Sequence, residues 1–99
     1  MLTRDYKVSL YKDLQDPKFA IEYLNAALED SYDVFLLSLK DVADARGGLT
    51  KLSGKSKLSR EAIYRMLSKN GNPELNSISK ILSCLGLRFT VKKNLPSHC

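Results

Sequence analysis

One stretch limits what this chain can fold into: LTKLSGKSKLSREAIYRMLSK, Leu49 to Lys69. Its pattern predicts two short helices around a tight turn. The first runs from Leu49 to about Lys55, the turn is Ser56-Lys57-Leu58, and the second starts at Ser59 and ends near Lys69. Ser59 suits the N-cap, because its hydroxyl can accept an orphan backbone N–H of the first turn. Ala62, Ile63, Met66 and Leu67 recur at helical spacing and are expected inward. Arg60, Glu61, Tyr64, Arg65 and Ser68 then share the outer face. A short helix with two arginines and a tyrosine, braced by another short helix, has the form of a helix-turn-helix reader that enters the DNA major groove N-terminus first. Any solvated amphipathic helix pair shows the same pattern, so this stretch leaves both readings open.

Charge divides the chain. Residues 1–48 hold six Lys and Arg against nine Asp and Glu, net −3, while residues 49–99 hold ten against two, net +8. The basic half contains the candidate reader, and cations concentrated in this way are the electrostatic footprint of nucleic-acid binding. The acidic half is repelled by phosphate and free for another partner. Ninety-nine residues, 43% hydrophobic and 27% charged, predict one globular domain over 1–99 with a modest core. Cys84 and Cys99 make no disulfide framework: Cys84 reads as a small buried hydrophobe and Cys99 as a tail residue. No window has the length of a membrane span and no apolar signal core opens the chain, so a cytoplasmic protein is expected.

In chain order, residues 1–15 read as an N-terminal arm. Within it Tyr6, Val8 and Leu10 alternate with polar neighbours, as in a short strand or extended segment. A helical bundle is expected over 16–86. Asp16-Pro17 starts a helix with a cap and a proline at N1, and the helix runs to about Asp30. Asp33 is expected to cap the next, from Val34 to about Arg46, which Gly47-Gly48 ends. After the reader, Asn70-Gly71-Asn72-Pro73 breaks the chain, and a further helix spans about Leu75 to Leu85. Leu87 to Lys92 alternates apolar and polar residues, predicting a half-buried strand over 87–93 that pairs with the N-terminal arm or a second subunit. Residues 94–99 are expected to be a flexible tail.

No catalytic set forms. The one histidine, His98, lies in the tail, zinc has too few ligands, and no phosphate-binding glycine loop is present. The expectation is a binding protein with no enzyme activity, cofactor or metal. Arg60 and Arg65 can each take a guanine edge by a two-pronged hydrogen bond. Glu61 can accept from cytosine N4 or simply sit at the positive helix N-terminus. Tyr64 can touch a thymine methyl or a phosphate, or be half-buried packing. Thr50, Lys51, Lys55 and Lys57 are expected at the phosphate backbone, and Lys69, Asn70 and Asn72 at a second backbone clamp. For any single lysine, a solubilising surface is the alternative.

Nearly the whole chain, about residues 5–93, resembles the addiction module antidote proteins, antitoxins similar to HigA with a Cro/repressor-type (Xre) helix-turn-helix. The resemblance rests on DPKFAIEYLNAALED, then DVFLLSLKDVADARGG, and most specifically on LSREAIYRMLSKNGNPEL followed by LGLRFTV. It implies an all-α, five-helix Cro/lambda-repressor-like domain, here with a short C-terminal β-strand, and a homodimer that represses its own operon at double-stranded operator DNA. It further implies a toxin partner of the RelE/ParE-like (HigB-like) ribonuclease type. By position, Ser59, Arg60, Glu61 and Arg65 fall where such readers place base and near-backbone contacts. The turn departs from the family's Thr-Gly-Leu-Ser-Arg, having Ser56-Lys57-Leu58-Ser59-Arg60. A positive φ at Lys57 would cost on the order of 1 kcal/mol. Ser53 stands where a small alanine is common, which is compatible. Other readings are a solitary prophage-type regulator without a toxin, or a protein-interaction module that has lost DNA binding. The charge split makes the acidic helix Pro17–Asp30, with Glu22 and Glu29, the expected surface for a cationic toxin.

Overall fold

The computed structural model describes residues 4–68 and 70–94, with the backbone alone at 4 and 5. Six helices follow one another: α1 Arg4–Asp13, α2 Pro17–Asp30, α3 Tyr32–Ala45, α4 Gly48–Ser56, α5 Arg60–Met66 and α6 Leu75–Cys84. The chain is all-helical among these residues, with one helix more than the expected five.

The added helix is α1, where an extended arm was expected. An alternation of three apolar residues is short, and Leu10, Tyr11 and Leu14 also share one helical face. Leu14 is fully buried and Leu10 and Tyr11 pack against the core, while Tyr6 and Val8 stay exposed. Burying that face outweighs the strand-like pattern.

Asp16 caps α2 as expected, its carboxylate accepting from the Lys18 N–H at 3.2 Å, with Pro17 at the first helical position. Ser31 alone separates α2 from α3 and serves both. Its N–H donates to the Ala27 carbonyl at 3.1 Å, ending α2, and its hydroxyl accepts from the Val34 N–H at 3.1 Å, opening α3. Ser31 is extended (φ −164°, ψ 162°), so Asp33, expected as this cap, falls in the first turn of α3. Phe35, Leu36, Leu39, Val42 and Ala43 of α3 are buried, as their spacing predicts. Gly47 and Gly48 then take φ of +113° and +80°, which other residues rarely adopt, and reverse the chain into α4.

One apolar cluster runs from Leu14 to Leu85. α2 packs on α3, α1 and α4 pack on α3, and α4 packs on both α5 and α6. Arg46, just past α3, ties two helix ends together. Its Nε donates to the Leu14 carbonyl at 3.2 Å and its Nη1 to the Leu85 carbonyl at 3.0 Å, placing a cation at the C-terminal ends of α1 and α6.

The expected strand over 87–93 does not form. Leu87 packs on the core and the Phe89 ring lies 6.2 Å from that of Phe35, but Val91 is 99% exposed. A strand needs a neighbour for its backbone groups, and α1 is helical where the N-terminal arm might have paired. His98 and Cys99, read as tail residues, lie outside the described residues. Among the described helices none is long and apolar enough to cross a membrane.

Candidate nucleic-acid interface

Three serines at three-residue spacing build the α4–α5 corner. The Ser53 hydroxyl donates to the Leu58 carbonyl at 2.6 Å, and the Ser56 hydroxyl accepts from the Leu58 N–H at 3.2 Å. The Ser59 hydroxyl accepts from the Ala62 N–H at 3.0 Å, capping α5 as expected. Between them Lys57 ends α4 in the left-handed conformation (φ 65°, ψ 15°), its N–H reaching the Ser53 carbonyl at 3.1 Å. The turn therefore keeps the backbone a glycine would favour, on a lysine, at a cost of roughly 1 kcal/mol. Ser56, expected in the turn, and Ser53, noted from sequence only as a compatible replacement for alanine, hold that turn through their hydroxyls. Their regular spacing with Ser59 was the available signal.

Ile63 and Leu67 are completely buried and fasten α5 to the core, while Ala62 and Met66, also expected inward, are only partly covered. Opposite them, Ser59, Arg60, Glu61, Tyr64 and Arg65 line one open groove with Leu49 and Ser53 of α4. Tyr64 is 60% exposed, so it is not the half-buried packing residue that was the alternative. Neither Arg60 nor Arg65 has an acidic partner among the described residues. Glu61 sits in the first turn of α5, where its charge favours the positive helix end. The groove thus presents two unpaired guanidinium groups, a phenol and a carboxylate, side by side on a capped helix.

The remaining candidates are scattered. Lys51 and Lys55 are exposed on the side of α4 that faces α6, bordering a notch with Arg46, Cys84 and Leu85. Helical spacing separates them from Leu49 and Ser53. Thr50, Lys57, Asn70 and Asn72 are exposed but line neither depression. Lys69 lies outside the described residues. In the loop after α5, a side chain at Gly71 would collide with the carbonyl oxygens of Arg65 and Met66, and the Gly71 N–H bonds the Ser68 carbonyl at 2.9 Å. That close passage folds the loop back onto the end of α5.

Behind the groove, α3 carries a polar seam. Tyr23 donates to Asp41 at 2.8 Å, and burial first, then this hydrogen bond, push its hydroxyl up to about 12. Tyr11 reaches Asp44 at 3.4 Å and is raised by burial and by that carboxylate. Lys40 meets Asp44 at 3.0 Å, and the hydrogen bond raises its pKa. Leu37, Lys40 and Asp41 of this seam face Tyr64 and Ser68 across a second depression, so Tyr64 borders both.

These features define an all-α protein with a helix–turn–helix corner whose outer helix bears unpaired arginines. A sequence profile of the family described as probable addiction module antidote protein matches residues 4–93, and the chain belongs to that family. An uncharacterized protein of Haemophilus influenzae is 36% identical over 73 residues, covering 73% of this chain and 74% of the relative. No solved structure matches the chain. Membership brings with it the role of an antidote and hence a toxin as partner.

Proposed function

We propose that this antidote protein is a HigA-like, Xre-type DNA-binding antitoxin of the cytoplasm. In this reading residues 1–99 act as one domain, two copies bind an inverted-repeat operator, and the pair represses its own operon. A RelE/ParE-like (HigB-like) toxin encoded beside it is the protein partner. The role is binding, with no catalytic step.

The observation that carries the DNA reading is the groove on α5, where Arg60 and Arg65 are exposed and meet no acid among the described residues. Arg60 is the first residue after the Ser59 cap, so its planar fork is carried at the leading end of the helix, suited to O6 and N7 of a guanine. The toxin class rests on the resemblance of the sequence segments, and the antidote role on the family.

Co-expression with the product of the adjacent gene tests both parts. A complex of defined mass that shifts a fragment of the operon's own promoter supports the reading. Failure to copurify removes the antitoxin part, and failure of the free protein to shift the promoter removes the repressor part.

A further inference from the structure

Outside the α4–α5 corner, a groove of about 420 Å³ lies between α2 and the segment that follows α6. Leu24, Phe35, Leu82 and Leu87 form its floor. Ile21 and Leu28 of α2 and Phe89 of the segment rise beside it, each more than a third exposed, and Val91 stands almost wholly in solvent. Apolar side chains grouped this way on one face mark an interaction surface.

Cations line one edge, and on α2 exposed acids flank the other. Asn25 of α2 lines the groove, and Glu22 and Glu29 lie three residues before it and four after it, on the same stripe of the helix. Both are exposed. Arg88 and Lys92 line the other edge, followed by Lys93, and none has an acidic partner among the described residues. A surface with an apolar centre, an acidic edge and a basic edge complements itself under a two-fold rotation, because each acidic edge then meets the other copy's basic edge.

We propose that this face is where two copies of the chain join, with Val91 and Phe89 seated against the partner's α2 groove and Arg88 and Lys92 against its glutamates. The proposal rests on the dimeric reading above and says which surface makes the dimer. It also explains what one copy lacks: a single α5 reads half a site, and the second reader must come from the partner. It assigns Glu22 and Glu29 to self-association instead of the toxin surface expected from the charge split.

Sedimentation of the full chain over the micromolar range tests this. Wild type should be dimeric. Val91→Asp should raise the dimer Kd by at least about tenfold, since it would bury an unpaired charge. Val91 touches little of its own chain, so the variant should keep wild-type helicity and melting of the monomer. Glu29→Arg and Arg88→Glu should each weaken the dimer, and the double variant should recover most of the loss. Wild type that stays monomeric overturns the dimeric reading itself. A dimer indifferent to Val91→Asp, with or without loss of toxin capture, leaves that reading standing but overturns the assignment of this face. Single charge reversals that fail to compensate one another also overturn it.

Discussion

In α3, Asp41 accepts from Tyr23 and Asp44 from Lys40 and Tyr11, whereas no lysine or arginine of α4 or α5 meets an acid among the described residues. The α2–α3 pair has two helices of fourteen residues, joined by one serine that closes the first and opens the second. The α4–α5 pair has nine and seven residues and is fixed by a few buried side chains and a serine-wired turn. One pair uses its polar groups to hold the scaffold together. The other leaves its cations unneutralised, so their attraction for phosphate is undiminished by internal partners. Such a corner can be small when the helices behind it supply the core.

The largest expected effect comes from loosening the small pair. Ile63 is fully buried, and Ile63→Ala should cost about 2–5 kcal/mol in urea unfolding. Hydrogen exchange should place the gain in opening first in α5, ahead of α2 and α3. Equal acceleration in both pairs would break the distinction between scaffold and reader.

Removing one bond of the scaffold seam should act on the other pair, and less strongly. Tyr23→Phe should lower stability by about 1 kcal/mol and leave DNA affinity unchanged. The pH dependence has a definite sign. Tyr23 has a folded pKa of about 12 against an ordinary 10.0, so its contribution is complete below 10 and disappears as pH rises through 12. Lys40, also raised, acts in the same direction. Thermal melts should show wild type losing stability over that alkaline window, with Tyr23→Phe losing less.

The smallest effect concerns the turn. Lys57→Gly relieves the left-handed backbone and should raise stability by up to about 1 kcal/mol in urea unfolding. The same change deletes an exposed cation, so the salt dependence of any DNA binding should become no steeper.

The sequence made legible those features that depend on short-range chemistry: the Asp16-Pro17 start, the Gly47-Gly48 reversal, the Ser59 cap and the buried face of α3. What it concealed depended on neighbours. The alternation around Val8 suggested extension, but a core able to bury Leu10 and Leu14 draws α1 into a helix. The alternation after Gly86 is as regular as any strand, yet no described segment lies beside it to complete the hydrogen bonds. Lys51 and Lys55 share a helix with Leu49 and Ser53 but not a face, and the placement of α6 sets the depression they border. Arg46, read from sequence only as the end of its helix, is held by the ends of α1 and α6, which no local pattern brings together.

The central claim is that α5 reads base edges through Arg60, and one titration tests it most directly. Wild type and Arg60→Ala are bound to the operon's promoter fragment and to scrambled DNA at several salt concentrations. Arg60→Ala should lose roughly 1–3 kcal/mol on the promoter and relax discrimination at one base pair, with little change on scrambled DNA. Its helicity and melting temperature should match wild type, because the Arg60 side chain is exposed and bonds nothing within the described chain. Equal losses on promoter and scrambled DNA would make Arg60 a phosphate contact and contradict this account of the helix.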